Sequence, residues 1–237
     1  MRIADLYSCS GGAARGYQQA GFHVTGFDTA KQSRYAGDAF ERRNVLDISP
    51  EELRERFDAI HASPPCQFGT ALNNDKSKHV NLIPQTRRLL QASGLPYVIE
   101  NVMKVALAGH LFDWISLTGT MFDNHMITST GRRYVLERER AFEANWQILR
   151  PHDPGAQGHP IANVFGGHLR CRDTEHRTGG DTGRTVDFPG EDRPALARQL
   201  MGMPWATMGG MSEAIPPSYT QFIGRQLAAH LKTQEAA

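Results

Sequence analysis

The chain has 237 residues, and its 26 Lys and Arg nearly cancel its 25 Asp and Glu, giving a net charge of +1 at pH 7. This balance excludes a basic coat over the whole surface but permits a local basic face. Hydrophobic residues make up 40% of the chain, which is enough for a sizeable core and excludes a wholly disordered protein. The length suits one α/β domain with a small appendage.

The cysteine count and the hydropathy pattern indicate the compartment. Cys9, Cys66 and Cys171 are too few, and odd in number, for a disulfide scaffold, so we expect a reduced, cytoplasmic setting. No segment approaches the roughly 18 consecutive apolar residues of a membrane span. A strand pattern starts at Arg2, which leaves no room for a signal peptide.

The first 100 residues alternate short apolar runs with helical patterns. Predicted strands cover 3–7, 22–27, 57–62 and 96–100, and predicted helices cover 11–20 and 82–93. Another helix begins after Ser49, because Ser49-Pro50-Glu51-Glu52 combines an N-cap, a proline in the first turn and a glutamate three residues after the cap. Strands alternating with helices predict an α/β fold with a mostly parallel sheet.

The pattern changes after about residue 115. Two β-like runs cover 115–121 and 133–142. Residues 151–190 are rich in Gly, Pro, His and Arg with few apolar anchors, which indicates a small loop-built module or a mobile insertion. Helical patterns resume near 193–201 and from Pro216 to about residue 232.

A nucleotide-type site is predicted at the first strand. Asp5 lies in that strand, Gly11 and Gly12 open the helix, and Asp28 ends the second strand. A strand, a glycine turn and a helix bring backbone N–H groups close to a ligand, and an acid after the next strand suits ribose hydroxyls. The dinucleotide pattern G-x-G-x-x-G is absent, which argues against NAD. The alternative is that the glycines only form a tight turn.

Two reactive side chains follow neighbouring strands. Cys66 comes directly after a strand, behind Pro64-Pro65, and Glu100 ends the next strand. Because parallel strands end at one edge of the sheet, the two groups are expected to face one crevice. A thiol with a carboxyl beside it supplies a nucleophile and an acid/base group. The alternatives are a buried structural cysteine and a solvated strand-end charge.

These residues together resemble the DNA cytosine-5 methyltransferases, with motifs in the family's order over nearly the whole chain. The matching segments are Asp5-Leu6-Tyr7-Ser8-Cys9-Ser10-Gly11-Gly12, Pro65-Cys66-Gln67, Glu100-Asn101-Val102, Arg138-Glu139-Arg140, Arg198-Gln199-Leu200-Met201-Gly202-Met203-Pro204 and Ser212-Glu213-Ala214-Ile215-Pro216-Pro217. The compact size also resembles methyltransferases carried by bacteriophages. The resemblance implies a Rossmann-like fold for S-adenosylmethionine (SAM)-dependent methyltransferases.

The resemblance also implies which residues act. SAM would be held by residues of the quoted motifs, namely Asp5, Tyr7, Gly11, Gly12, Pro65, Glu213 and Ala214. Asp28 matches the acid that binds the ribose, and Asp47 matches the acid that contacts the adenine amine. Cys66 would attack carbon 6 of a flipped cytosine, Glu100 would bind or protonate ring nitrogen 3, and Arg140, with Arg138 nearby, would hold the base or its phosphate. Carbon 5 would then take the methyl group.

The resemblance predicts the domain organisation and the partner. Residues 1–150 and 191–237 would form the catalytic domain, and residues 151–190 a very short target-recognition region. Double-stranded DNA is the expected partner of a monomer in a bacterial or phage-infected cell, with a role in DNA methylation such as restriction-modification. A local basic face would contact phosphates through Arg132, Arg133, Arg138, Arg140, Arg170, Arg172, Arg177 and Arg184.

Departures from the family pattern leave alternatives open. Cys9 replaces the first glycine of the SAM turn, and Ser212-Glu213 replaces Gly-Asn. The protein could instead be an amino-methyltransferase of DNA, an enzyme acting on RNA or a free nucleotide, or a binding protein that has kept the fold. His168, Cys171 and His176 are too few for a predicted zinc site, so no metal is expected. Gly69 is a candidate hinge for the loop after Cys66.

Overall fold

The computed structural model describes residues 1–66, 80–172, 188 and 190–235. The strands are β1 (Arg2–Leu6), β2 (His23–Asp28), β3 (Ala39–Arg42), β4 (Ala59–Ala62), β5 (Tyr97–Val102), β6 (Ile115–Leu117), β7 (His125–Ile127), β8 (Arg133–Leu136), β9 (Arg140–Ala144), β10 (Ile161–Phe165) and β11 (His168–Arg172). The α-helices are α1 (Gly12–Gln19), α2 (Pro50–Arg56), α3 (Ile83–Ser93), α4 (Met103–Val105), α5 (Arg193–Met201), α6 (Met208–Glu213) and α7 (Pro217–Glu235). Short helical turns of other types cover Val45–Asp47, Ala106–His110 and Gly119–Phe122.

A seven-stranded sheet forms the centre of the molecule, in the order β3-β2-β1-β4-β5-β9-β6. The first five strands in that order pair parallel, and β9 runs antiparallel to both β5 and β6. The predicted α/β class with a mostly parallel sheet and flanking helices is therefore confirmed. The chain winds from β1 towards β3 in one direction and from β4 towards β5 in the other. The crevice for a ligand is thus expected at the carboxyl ends of β1 and β4.

The two faces of this sheet bury different clusters. Ala4, Ile60 and Ile99 pack on the face covered by α2 and α3. Ile3, Ala59 and Val98 pack on the opposite face with side chains of α1 and α7. Because side chains alternate along a strand, the next residues on that second face are Asp5 in β1, His61 in β4 and Glu100 in β5. The α1/α7 face therefore carries a buried polar row next to the crevice.

Helix α7 packs closely against α1, and Gly16 makes this approach possible. A Cβ atom at Gly16 would lie 2.1 Å from both the Pro217 carbonyl oxygen and the Thr220 Oγ1 atom. The Thr220 hydroxyl donates a 2.9 Å hydrogen bond to the Ala13 carbonyl, which fixes the register of the two helices. The last helix thus supports the first turn of the chain, where the predicted ligand-binding glycines lie.

A second sheet of four strands, in the order β11-β10-β8-β7, packs with α5 and α6 around a core of its own. The β10–β11 pair is an antiparallel hairpin, and β10 also pairs parallel with β8. Strands β7 and β8 precede residue 151, so this sheet begins within the range assigned to the catalytic domain and continues into the predicted recognition region.

The structure corrects two sequence predictions and adds one strand that was not predicted. The run 133–142 is not one strand: β8 belongs to the second sheet and β9 to the central sheet, so the chain crosses between sheets at 137–139. The run 115–121 ends as a strand at Leu117, because Gly119 turns the chain against Leu136, which a Cβ atom would meet at 2.6 Å. Edge strand β3 was not predicted, because Ala39-Phe40-Glu41-Arg42 lacks apolar alternation.

Local capping was predicted correctly at α2. The Ser49 Oγ atom accepts a 3.1 Å hydrogen bond from the Glu52 backbone N–H, and Pro50 begins the helix. Within the described residues, no helix combines the length and apolar character needed to cross a membrane.

Candidate active site

A cavity of about 620 Å³ opens at the carboxyl ends of β1, β4 and β5. It is the crevice expected from the winding of the central sheet. Most of the predicted site residues line it: Asp5, Tyr7, Gly12, Asp28, Pro65, Cys66, Glu100, Arg140, Glu213 and Ala214. The sheet thus brings residues from both ends of the chain to one place.

The turn after β1 has a strained backbone. Tyr7, Cys9 and Gly11 have φ angles of 61°, 44° and 76°, in the left-handed region that favours glycine. The Cys9 backbone N–H donates to the Asp28 Oδ2 atom at 3.1 Å, which helps hold this conformation. Cys9 therefore adopts a glycine-like backbone at the position where the family pattern has glycine. Such strain persists where surrounding contacts over-determine it, as at ligand sites.

Two acids face the cavity from β1 and β2. Asp28 accepts from the backbone N–H of Cys9, and its other oxygen accepts from Ala30 N–H at 2.9 Å. Asp5 is 1% exposed, and the Tyr35 hydroxyl donates to its Oδ2 atom at 3.4 Å. Burial raises the pKa of the Asp5 carboxyl well above its usual range, against that hydrogen bond, and the charges of Asp28 and Glu100 raise it further. A cationic ligand group beside Asp5 would relieve this cost.

The segment after α6 closes the cavity on the side of the glycine turn. Ala214 and Ile215 follow Glu213, and a Cβ atom at Gly12 would lie 2.2 Å from the Ile215 carbonyl oxygen. Gly12 is therefore needed for this close approach. The Trp205 Nε1 atom donates to the Ser10 carbonyl at 2.9 Å, a second link between this region and the turn.

One buried hydroxyl in the cavity wall has no partner. Among the described residues, nothing hydrogen-bonds the Ser8 Oγ atom, although Ser8 is only 6% exposed and lines the cavity. An unpaired buried hydroxyl is costly unless a ligand or water satisfies it. With the acceptor oxygens of the two acids and the backbone N–H groups of the glycine turn, this hydroxyl makes a set of hydrogen-bonding groups that would suit the ribose and amino-acid parts of SAM.

Cys66, Glu100 and Arg140 converge on the other side of the cavity. Cys66 follows β4, Glu100 lies in β5, and Arg140 starts β9, opposite Val102 in the register with β5. The Arg140 Nε atom lies 3.3 Å from the Glu100 Oε1 atom, and both side chains are largely buried. This arrangement holds a thiol, a carboxyl and a guanidinium around one space.

The pKa values in this group follow from burial and from the three charges. Burial raises the pKa of the Glu100 carboxyl, against the opposing effects of Arg140 and of a hydrogen bond from Ser63. Burial also raises the pKa of the Cys66 thiol, and the negative charge of Glu100 raises it further while Arg140 lowers it. A protonated Glu100 would therefore assist both a proton-donating role and ionisation of the thiol.

Three predicted site residues do not line the cavity. Gly11 is the N-cap of α1, behind Gly12. Asp47 lies in the turn Val45–Asp47, where its carboxylate accepts from the Asn44 side-chain amide at 3.3 Å. Asn44 and Val45 line the cavity in that turn instead. Asp47, the acid predicted to contact adenine, therefore lies behind the residues that form the cavity wall.

Arg138, the third, is buried in the crossing between the two sheets and is 2% exposed. Its guanidinium donates to the carbonyls of Val164 at 2.6 Å, Ser212 at 2.6 Å and Ala214 at 2.9 Å. These carbonyls already accept from the guanidinium N–H groups that a base or a phosphate would need. Arg138 thus joins β10 to the segment that carries Glu213, rather than facing the cavity.

The sequence did not single out the turn of the β10–β11 hairpin, yet Phe165, Gly166 and Gly167 line the cavity. Both glycines have positive φ angles, 57° and 77°. The Gly167 N–H donates to the Ser212 Oγ atom at 2.8 Å, which ties the turn to the end of α6, next to Glu213. A Phe-Gly-Gly turn after an apolar run was the available signal.

Asn101 was quoted within a motif but not assigned a role. Its side-chain amide donates to the Pro64 carbonyl at 2.8 Å, and it is 2% exposed. This bond joins the end of β5 to the Pro-Pro segment in front of Cys66. Asn101 therefore helps to fix the position of the thiol relative to Glu100.

The predicted basic face is only partly described. Arg138 is buried, Arg133 pairs with Asp123, and the Arg132 guanidinium lies 5.4 Å from the centre of the Tyr134 ring. Arg140 lines the cavity, and Arg170 lies against Phe165. Gly69, His176, Arg177, Arg184 and the Arg172 side chain fall outside the described residues. Within the described part of the chain, no group of three or more potential metal ligands is present.

The fold is shared with solved methyltransferase structures. A provisionally assigned DNA modification methyltransferase encoded within an Escherichia coli prophage has a TM-score of 0.63 and 12% identity, over 98% of this chain and 99% of that one. The Dnmt2 methyltransferase of S. pombe has a TM-score of 0.56 and 13% identity, with 99% of both chains covered. The Entamoeba histolytica methyltransferase EhMeth has a TM-score of 0.57 and 11% identity, over 99% of this chain and 98% of that one.

No protein-family model matches the sequence, and no curated protein matches it. At such low identity the likeness concerns the fold. The central sheet and its helices have the Rossmann-like fold of SAM-dependent methyltransferases, as the sequence predicted.

Proposed function

We propose that this protein transfers a methyl group from SAM to carbon 5 of cytosine in DNA. The observation that carries the proposal is the convergence of Cys66, Glu100 and Arg140 on a cavity that also contains the glycine turn and Asp28. A fold alone does not identify a reaction, so the argument rests on these side chains. The same fold in three methyltransferase structures supports the choice of cofactor.

Residues of the turn and of the closing segment would hold the cofactor. Asp28 would bind the ribose hydroxyls, and Asp5 and the Ser8 hydroxyl would bind the amino-acid part, in a cavity that Glu213 and Ala214 also line. When bound, SAM supplies an electrophilic methyl group beside the thiol.

The remaining steps belong to this chain's own side chains. The Cys66 thiolate adds to carbon 6 of the cytosine, which places electron density on carbon 5. Glu100 donates a hydrogen bond or a proton to ring nitrogen 3 and so stabilises the adduct. Arg140 holds the base and keeps Glu100 oriented. Carbon 5 takes the methyl group as the S–CH3 bond of the donor breaks, which leaves S-adenosylhomocysteine. Carbon 5 then loses its proton to a water molecule, and the C5=C6 double bond re-forms as the bond between carbon 6 and the Cys66 sulfur breaks.

DNA would be held by the second sheet. The base must leave the duplex to reach Cys66, which costs a few kcal/mol. The hairpin β10–β11 lies within the proposed recognition region, residues 151–190, and its turn reaches the cavity wall. We therefore assign recognition to this hairpin and the strands beside it, with double-stranded DNA as the partner.

The direct test combines labelled SAM, double-stranded DNA and the full chain. The expected product is DNA that carries 5-methylcytosine, identified by mass spectrometry of the released nucleosides. A methyl group on an exocyclic amine of cytosine or adenine would replace the proposal by that of an amino-methyltransferase. Label in RNA or in free nucleotides, and none in DNA, would contradict DNA as the substrate. Binding of SAM and DNA without any transfer would indicate a binding protein.

Phe165 is expected to contribute to DNA binding. It is 42% exposed at the cavity wall, and the Arg170 guanidinium lies 5.2 Å from its ring centre, so an aromatic and a cationic surface meet where the target strand would pass. Stacking of a base on an aromatic side chain contributes about 1–3 kcal/mol. Phe165→Ala is therefore expected to raise the KM for DNA about tenfold with a smaller change in kcat.

Phe112→Ala is the matched control for Phe165. Phe112 is a 55% exposed phenylalanine that also lies under an arginine, with Arg87 4.3 Å from its ring centre, but it does not line the cavity. Steady-state kinetics with a defined duplex compare the two variants. If both variants had the same KM for DNA as the unmodified protein, Phe165 would not contribute to DNA binding.

A further inference from the structure

A chain of hydrogen bonds runs from the interior of the protein to Glu100. The Tyr17 hydroxyl lies 3.1 Å from the His61 Nδ1 atom, and the His61 Nε2 atom lies 3.0 Å from the Ser63 Oγ atom. Ser63 follows β4 directly across from Glu100, since Ala62 pairs with Ile99 in the register of β4 and β5, and a hydrogen bond from Ser63 opposes the rise that burial causes in the pKa of Glu100. Tyr17 and His61 are fully buried, and Ser63 lines the cavity. The chain therefore connects helix α1 to the proposed active site through the polar row on the α1/α7 face.

The protons in this chain have one favoured direction. Among the described residues, His61 is the hydrogen-bond partner that the structure gives the Tyr17 hydroxyl. A buried phenol with one partner donates to it rather than leave its proton unpaired, so His61 Nδ1 accepts. The neutral imidazole then carries its proton on Nε2 and donates to Ser63. Since the Ser63 oxygen accepts that bond, its own proton is free to point at Glu100.

The surroundings keep the imidazole neutral. Burial lowers the pKa of His61 to about 3, so the ring does not gain a second proton at neutral pH. The neighbouring strands place Asp5 of β1 and Val98 of β5 beside His61 in register, and α1 places Tyr17 over it. The charged or titratable groups that interact electrostatically with Glu100 include Arg140, Arg138, Cys66, Asp5, Cys9 and Tyr219.

We propose that Tyr17, His61 and Ser63 are positioning residues that fix the orientation of the Glu100 carboxyl before substrate binds. The role in catalysis rests on the proposed function, whereas the chain itself does not. Arg140 approaches Glu100 from β9, and Ser63 approaches it from the end of β4. The carboxyl is thus held between two donors on different strands, which restricts its rotation.

The chain also sets how readily Glu100 accepts a proton. Burial favours the neutral carboxyl, and the Ser63 hydrogen bond opposes burial because it stabilises the charge. Removing that bond is expected to raise the pKa of Glu100. A merely structural role of these residues would change stability and leave this titration where it is.

The test compares Ser63→Ala and Tyr17→Phe with the unmodified protein. Ser63→Ala removes the donor to Glu100, and Tyr17→Phe removes a proton that lies far from any substrate but fixes the His61 tautomer. Carbon-13 NMR of labelled glutamate carboxyls follows the titration of Glu100, assigned by loss of the signal in Glu100→Gln. Nitrogen-15 NMR of labelled imidazoles reports which nitrogen of His61 carries the proton. Neither measurement needs SAM or DNA.

The matched control is Tyr97→Phe. Tyr97 is a buried tyrosine of β5, but it packs on the opposite face of the sheet. We expect Ser63→Ala to raise the pKa of Glu100 by about one unit, Tyr17→Phe to raise it by less, and Tyr97→Phe to leave it unchanged. His61 is expected to carry its proton on Nε2 in the unmodified protein and to lose that strict preference in Tyr17→Phe.

The outcomes separate the chain from the reaction. A Glu100 titration that is the same in all variants, or a His61 proton on Nδ1, would overturn the proposal whether or not the protein methylates DNA. If the titration of Glu100 shifts, the pH–rate profile of methyl transfer should shift as well. The apparent pKa that belongs to Glu100 in that profile should rise in Ser63→Ala by the same amount. A shift in the NMR titration of Glu100 without a matching shift in the pH–rate profile would overturn the role of these residues in catalysis. Absence of methyl transfer in the unmodified protein would overturn the proposed function and leave the NMR result to decide the chain.

Discussion

Cys66→Ser is expected to abolish methyl transfer to DNA, lowering the rate by about 10⁴-fold or more. The serine oxygen is nearly isosteric, but a hydroxyl remains protonated where a thiol ionises, and Glu100 on one side of it disfavours a second negative charge. Cys66 is only partly buried, so the fold should tolerate the change. Transfer of label from SAM measures the rate, and calorimetry of SAM binding shows that the cofactor site is intact.

A covalent complex with DNA that contains 5-fluorocytosine provides the second measurement. Fluorine at carbon 5 blocks the last proton loss, so the unmodified protein should remain attached to the DNA on a denaturing gel. Cys66→Ser should not. Cys171→Ala is the control, because Cys171 is a buried thiol in β11 that does not line the cavity. Full transfer by Cys66→Ser, or a complex that depends on Cys171, would refute the mechanism.

Arg138→Met is expected to lower the free energy of unfolding by about 3 kcal/mol or more. The substitution leaves the carbonyls of Val164, Ser212 and Ala214 buried without their donor. Burial, with the charge of Arg140 next, lowers the pKa of Arg138 to about 9, so the guanidinium is still charged at neutral pH and makes strong hydrogen bonds. Denaturant unfolding followed by circular dichroism measures the loss.

Arg140→Met is the matched control, two residues along the chain. Arg140 pairs with Glu100 and donates to the Glu139 carbonyl, and Glu100 can take up a proton when its partner is removed. Arg140→Met should therefore lower the free energy of unfolding less than Arg138→Met does. It should lower the rate of methyl transfer by the folded protein more. If Arg138→Met unfolded like the unmodified protein but lost its activity, Arg138 would be a residue that contacts substrate after all.

The sequence predicted the parallel part of the fold, apart from edge strand β3, because the other elements there have local signals. Ser49 and Pro50 begin α2, Gly11 and Gly12 open α1, and apolar runs mark β1 and β4. The rule that parallel strands end at one edge then placed Cys66 and Glu100 together. This inference needed only the positions of the strands. Errors of one or two residues at the ends of the predicted elements therefore did not affect it.

The sequence could not predict what depends on long-range contacts. The split of 133–142 into two strands follows from Arg138, which binds carbonyls 26 to 76 residues further along the chain. A buried arginine and a cavity arginine two positions apart look alike in a sequence, so both were assigned to the substrate. Likewise, the position of Asp47 relative to Asn44 depends on the geometry of one short turn.

The contacts between the start of the chain and residues after Met203 have a consequence for how the cavity forms during synthesis. Trp205 binds Ser10 across 195 positions of the chain, and Thr220 binds Ala13 across 207. A nascent polypeptide therefore cannot complete the wall around Gly12 until residues near 220 have left the ribosome, and closing so long a loop slows this step. The earlier strands can pair while translation continues, but the complete cavity should form late and in a single step.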